Sequence, residues 1–252
     1  MNERVETIRQ NFAEVQERIR LAAGSVGRDP SGVRLVVVTK AQPVAVIAAA
    51  IQAGARILGE NYPEETLPKI EELAGQSADL AVEWHMIGHL QSRKAAIVAD
   101  RFQMLQSLDS LRLAERMSRL MQERGRALPV LLEFNVGGEE SKYGWTASDE
   151  SRWDSLLPEV EAIMRLPGLA VRGLMTMPPL FDDPEQARPY FARLRCLGQF
   201  FSERFGADHF RELSMGTSAD YETAVQEGAT LVRVGTAIVG PRPSKTASFT
   251  GG

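Results

Sequence analysis

Val5, Ile8, Phe12, Val15, Ile19 and Ala22 recur at alternating steps of three and four residues, the spacing of one face of an amphipathic helix. Gly24 and Gly27 are expected to end it, and no strand precedes it, so it is expected to cover one face of the sheet formed by later strands. Residues 33–39 (V-R-L-V-V-V-T) form a short, nearly unbroken apolar run, the pattern of a strand buried on both faces of a parallel sheet. Pro43 then opens an alanine-rich helix and Gly54 closes it, an N-terminal proline with a C-terminal glycine. The unit repeats without sequence repetition. Apolar runs at 55–58, 82–87, 102–105, 129–135, 170–175, 210–213 and 231–234 predict seven more strands. Helices are predicted at about 64–73, 91–99, 110–124, 149–165 and 184–205, with another helical segment between the last two strands. Eight strands alternating with helices argue for an α/β fold, a single closed (β/α)8 barrel of the TIM type with an extra N-terminal helix. An open doubly wound sheet is the alternative, and periodicity alone does not separate the two. The barrel is expected to occupy residues 1–240, with 241–252 a short, polar, flexible tail.

Composition narrows the setting. A chain of 252 residues, 44% hydrophobic and 25% charged, suits one barrel or two small domains. A net charge of −4 gives no nucleic-acid footprint. Cys196 is the single cysteine, so no internal disulfide can form and a reducing compartment fits. The charged N-terminus lacks an apolar leader, and no run reaches the length of a membrane span. A cytoplasmic protein without nucleic-acid or membrane partners is expected.

The chemistry gathers at the strand ends. The seventh run opens into Ser214-Met215-Gly216-Thr217-Ser218 and the eighth into Gly235-Thr236-Ala237. Glycines let backbone approach an anion, and hydroxyls and free amides supply donors. Two such turns after strands seven and eight of a barrel would make a phosphate cradle. Lys40 directly follows the first strand; apolar walls and a nearby cation would weaken its preference for the charged form and suit it to Schiff-base chemistry. Asn61 follows the second strand and, taken alone, reads as a loop cap. His85 and His89 have a metal-ligand spacing, but the stretch reads as a strand without a carboxylate cluster or second cysteine nearby. No metal site is expected, and His85 is read as facing inward. Arg233 interrupts the last strand, to pair with a carboxylate such as Glu133 or to meet a ligand; the flanking turns favour the ligand.

Several stretches resemble the pyridoxal phosphate homeostasis protein family. They are residues 36–40 (V-V-V-T-K), 59–62 (G-E-N-Y), 84–94 (W-H-M-I-G-H-L-Q-S-R-K), 172–175 (R-G-L-M), 213–220 (L-S-M-G-T-S-A-D) and 232–238 (V-R-V-G-T-A-I). The resemblance implies a barrel similar to the N-terminal half of alanine racemase, binding pyridoxal 5'-phosphate (PLP) and regulating its supply. It implies an internal aldimine on Lys40, the phosphate at Ser214, Ser218, Gly235 and Thr236, Arg233 at the pyridine nitrogen, Asn61 and His85 lining the site, and Met215 among the cofactor-binding residues. Arg93, Pro63 and Thr217 depart from the family pattern without removing a proposed contact.

An arginine at the ring nitrogen discourages its protonation and weakens the ring as an electron sink. Racemases of this type also use a second acid/base, a tyrosine from a separate domain in alanine racemase, and this chain is expected to end before any such domain. Its four tyrosines, Tyr62, Tyr143, Tyr190 and Tyr221, fall in or beside loops and helices of the barrel. Three readings stand: a non-catalytic PLP carrier serving apo-enzymes, a PLP-dependent amino-acid racemase, and a cofactor-free aldolase using Lys40. The carrier is preferred, with a monomer as the expected state.

Overall fold

A computed structural model describes residues 2–74 and 81–242. The strands are β1 (Arg34–Val38), β2 (Ile57–Glu60), β3 (Glu83–Met86), β4 (Met104–Leu108), β5 (Leu128–Asn135), β6 (Trp145–Thr146), β7 (Leu169–Met175), β8 (Glu212–Thr217) and β9 (Leu231–Val234). All pairings are parallel: β1 lies between β2 and β9, and β4 joins β5 to close the ring. The result is a closed eight-stranded barrel. The two-residue β6 pairs only with β5, through Phe134–Trp145 and Asn135–Thr146, and stands outside the ring. The closed ring settles the choice against an open doubly wound sheet.

The helices are α1 (Asn2–Ser25), α2 (Val44–Gln52), α3 (Pro63–Ala74), α4 (Ala95–Arg101), α5 (Leu111–Glu123), α6 (Leu157–Met164), α7 (Arg188–Phe205), α8 (Tyr221–Gln226) and α9 (Thr236–Val239). α1 buries Ile8, Phe12, Val15, Ile19 and Ala22, the face its periodicity marks. It packs on α2, α8 and α9. Because α9 is a single turn, α1 occupies the place that a helix after β9 would fill. Asn11 Nδ2 fastens it by donating to the Ile238 carbonyl at 3.1 Å. Gly24 lies inside this helix; the chain turns instead at Gly27, whose φ of 70° is left-handed.

Two strands run further than their apolar stretches. The fourth, expected at 102–105, is Met104–Leu108, and the seventh, expected at 210–213, is Glu212–Thr217. The cause is the same in both: polar residues that face the barrel interior read as loop. Gln106, Ser107 and Ser214 are all completely buried. The expected phosphate turn is corrected accordingly, because Ser214 and Met215 belong to the strand and only Ser218 lies beyond its end.

The core has two parts. The large one lies between strands and helices and includes Val37, Leu58, Leu105, Leu132 and Leu174. A small apolar plug of Val36, Met104, Leu131, Met175 and Leu231 fills part of the interior. The expected tail begins at 241; Pro241 accepts a hydrogen bond from Gln42 Nε2 at 3.3 Å, and 243–252 lie outside the described residues. Among the described residues, no helix is long and apolar enough to cross a membrane.

Candidate functional site

A cavity of about 700 Å³ opens at the C-terminal ends of the strands, and its walls include Lys40, Asn61, Glu133, Ser218, Arg233, Gly235 and Thr236. That volume accommodates a small cofactor.

Lys40 stands two residues past β1. Thr39 before it is buried, its amide donating to the Gly59 carbonyl at 3.0 Å and its hydroxyl to Glu60 Oε1 at 2.8 Å. Lys69 Nζ completes the clamp, 2.9 Å from Glu60 Oε1 and 3.3 Å from the Thr39 carbonyl. Immediately after Lys40, Ala41 adopts a φ of 57°, a left-handed turn that non-glycine residues rarely take. The strand end is thus clamped and the chain turned away, leaving the lysine at the mouth. Burial lowers the Lys40 pKa, and the Arg242 and Arg233 cations lower it further, against a smaller opposing pull from Glu60. A primary amine so placed is more often neutral, the nucleophilic form.

Asn61 follows β2, and Gly88 makes room for it: a Cβ there would sit 2.8 Å from the Asn61 side chain. Its Oδ1 is buried without a partner in the protein. Across the mouth, the two turns after β8 and β9 are stitched together by Ser218. Its Oγ accepts from the Gly235 amide at 3.1 Å and from the Ala237 amide at 3.4 Å. Asp220 fixes the first turn by accepting from the Thr217 amide at 2.6 Å and its hydroxyl at 3.0 Å. Gly216, with φ of 90°, lets α8 pack close; a Cβ would be 2.5 Å from Ala224 Cβ.

Arg233 forms the floor. It is 3% exposed, donates from Nη1 to Ser214 Oγ at 2.5 Å and from Nη2 to the Thr176 carbonyl at 2.8 Å. Burial holds its pKa down to about 10, partly offset by Glu133 and Asp220, so it keeps its charge at neutral pH. No ion pair joins it to Glu133 among the described residues; the two interact only at longer range. Glu133 is 8% exposed, and its Oε2 has no protein partner. Burial pushes its pKa up to about 7, Asp109 adding to the rise while Arg233 and Lys142 oppose it.

Of the nine expected contacts, the cavity gathers six: Lys40, Asn61, Ser218, Arg233, Gly235 and Thr236. Ser214, Met215 and His85 do not line it. Ser214 lies behind Arg233, Met215 packs in the outer core, and His85 is buried in the lumen between Gln106 and Glu83. His89 is elsewhere, bonded through Nδ1 to Asp109 at 2.7 Å and stacked on Tyr143 at 3.8 Å, so the two histidines serve different ends of the barrel. Sequence reasoning missed Gln106, the Glu60–Lys69 clamp, the His89–Tyr143 rim and Arg242. Gln106 alone left a signal: a polar pair, Gln106-Ser107, set between Leu105 and Leu108.

A closed parallel barrel with a lysine just past its first strand and Ser-, Gly- and Thr-bearing turns after its last two agrees with one class, the alanine racemase N-terminal domain. That family matches residues 5–243. Similar curated proteins narrow the class further. A Pseudomonas aeruginosa protein named pyridoxal phosphate homeostasis protein is 43% identical over 240 residues, 94% of this chain and 96% of its own length. The chain belongs to the pyridoxal phosphate homeostasis protein family. Among solved structures, a protein from Bifidobacterium adolescentis described as unknown superposes with a TM-score of 0.86 at 37% identity, covering 94% of this chain and 96% of its own. PipY of Synechococcus elongatus, solved with PLP bound, gives 0.73 at 34% identity, covering 90% and 100%.

The donor set fits that cofactor: an amine of weakened basicity for the aldehyde, the Ser218 and Thr236 hydroxyls of two turns drawn together by Ser218 for the phosphate, a fixed cation for the ring and an unpartnered Asn61 oxygen beside them.

Proposed function

We propose that this protein holds PLP in the cavity, joined to Lys40 as a Schiff base, and supplies or withdraws it as apo-enzymes require. Residues 1–240 serve as the cofactor-binding domain of a cytoplasmic monomer. When bound, the cofactor supplies an aldehyde able to exchange between primary amines. The observation that carries the reading is the convergence of Lys40, Arg233 and the Ser218–Gly235–Thr236 cradle on one cavity. Lys40 offers its amine with a lowered pKa. Ser218, Gly235 and Thr236 receive the phosphate, and Arg233 meets the ring nitrogen from the floor. Asn61 borders the ring. Ser214, Met215 and His85 act from behind the wall, Ser214 by holding Arg233.

Binding outweighs turnover in this reading because Arg233 stays cationic. A cation facing the ring nitrogen keeps a proton off it, which removes the strongest electron sink for α-carbanion chemistry. The competing reading is an amino-acid racemase, favoured by the match to the alanine racemase N-terminal domain. Incubating PLP-loaded protein with a panel of amino acids in deuterated water separates the two. The carrier exchanges α-protons slowly or not at all, a positioned acid or base being worth about 10²–10⁴ in rate. Fast exchange of any one amino acid, lost in Lys40→Ala, would establish the racemase instead.

A further inference from the structure

Below the cavity, a chain of polar side chains runs from Arg233 through Ser214 into the lumen, and one of its members, Gln106, has no part in the cofactor reading. Arg233 Nη1 lies 2.5 Å from Ser214 Oγ, and Ser214 Oγ lies 2.6 Å from Gln106 Oε1. Gln106 Nε2 lies 2.8 Å from His85 Nδ1, and His85 Nε2 lies 3.2 Å from Glu83 Oε2. Ser214, Gln106 and His85 are completely buried. They come from β8, β4 and β3, and β8 is not a neighbour of β4 in the ring, so the chain crosses the lumen. It begins at the cavity floor and ends at the opposite mouth, where Glu83 and His85 border a second, smaller hollow with Arg34 and Glu212.

Elementary hydrogen-bond chemistry allows one arrangement of protons. A guanidinium only donates, so the Ser214 hydroxyl accepts from Arg233 and must pass its own hydrogen onward. The acceptor in reach is the Gln106 carbonyl, which turns the amide NH₂ toward His85. His85 Nδ1 must then be a bare acceptor, with the ring hydrogen on Nε2 and donated to Glu83. Reversing the amide would aim two donors at Ser214 and leave its hydrogen without an acceptor, a heavy penalty in a dry interior. The charged groups around the ring are Glu83 on its own strand, Arg34 from β1 and Glu212 from β8; burial nonetheless lowers the His85 pKa, which agrees with a neutral ring.

We propose that Gln106 is a positioning residue for Arg233: it takes the Ser214 hydroxyl hydrogen on its carbonyl, locks His85 as the Nε2–H tautomer, and so holds the guanidinium at the cavity floor. The assignment rests on the cofactor reading only for what the guanidinium meets. The chain itself is a property of the protein without ligand.

The test therefore uses ligand-free, ¹⁵N-labelled protein and two nuclear magnetic resonance readouts, with PLP loading measured separately. Long-range proton–nitrogen spectra are expected to show His85 protonated at Nε2 and bare at Nδ1, unchanged from about pH 6 to 8. Gln106→Glu, whose carboxylate when ionised can only accept toward the ring, is expected to bring a proton onto Nδ1 at pH 8. Gln106→Leu, of similar volume, is expected to speed hydrogen exchange at the Arg233 guanidinium by roughly tenfold or more. An Nδ1–H or cationic His85 ring in the wild-type protein at neutral pH overturns the proposal without recourse to any variant. So does a folded Gln106→Leu protein with unchanged Arg233 exchange. Failure to load PLP with both readouts as expected would remove the cofactor reading and leave Gln106 in its role.

Discussion

The two faces of the same strands obey different rules. Leu132, on the outside of β5, is completely buried among apolar side chains of the helices, and its ring neighbour Leu174 shares that environment. One residue on, Glu133 faces the cavity with an unpartnered oxygen and a pKa near 7. The outer face is held by packing, which any apolar side chain of the right size can supply. The inner face combines a small apolar plug with polar positions whose roles are set by groups on other strands. Stability is thus concentrated outside and chemistry inside, and substitutions on either side of a single peptide bond should differ in kind.

The largest expected effect is on the outer face. Leu132→Ala should destabilise the fold by about 2–5 kcal/mol, read from denaturant unfolding, while leaving PLP affinity of the folded fraction within about twofold. A comparable loss of affinity would mean that the two faces are coupled.

Next comes Glu133 on the inner face. Its folded pKa is raised, so the stability of its neutral form is fully present below about pH 4.5 and is lost as pH rises through about 7. Glu133→Gln does not titrate. The variant's advantage over wild type in ligand-free unfolding should therefore grow by up to about 3 kcal/mol between pH 5 and pH 8. A difference that stays flat with pH would show that the carboxyl ionises freely.

The smallest is at the cradle. Thr236→Val and Ser218→Ala should each weaken PLP binding roughly tenfold, the value of one charge-assisted hydrogen bond. Thr236 is exposed, so Thr236→Val should barely move the melting temperature, whereas Ser218→Ala should lower it because Ser218 Oγ also accepts from the Gly235 and Ala237 amides. Unchanged affinity in both variants would put the phosphate elsewhere.

The same division explains what could be read from the sequence. Outer-face residues made the apolar runs, so eight strands and their order were legible, as was the buried face of α1. Site residues were legible where they lie within two residues of a strand's end, as Lys40, Asn61, Gly235 and Thr236 do, or where a charge breaks a run, as Arg233 does. Inner-face polar residues shortened the predicted strands at Gln106 and at Ser214, and that error moved Ser214 and Met215 into a turn they do not occupy. The partners of Gln106, the unpaired state of Glu133 and the His89–Tyr143 rim stayed out of reach for a physical reason. Their roles depend on which strands face each other across the lumen, and ring closure sets that, not any local pattern.

The central claim is that Lys40, and no other lysine, carries the cofactor. Purified protein loaded with PLP, reduced with borohydride and mapped by peptide mass spectrometry should carry the pyridoxyl group on Lys40. Lys40→Ala should lose the Schiff-base absorbance while the cradle retains some cofactor without a covalent bond. A pyridoxyl group found only on another lysine, such as Lys94 or Lys142 of the same cavity, would contradict that claim.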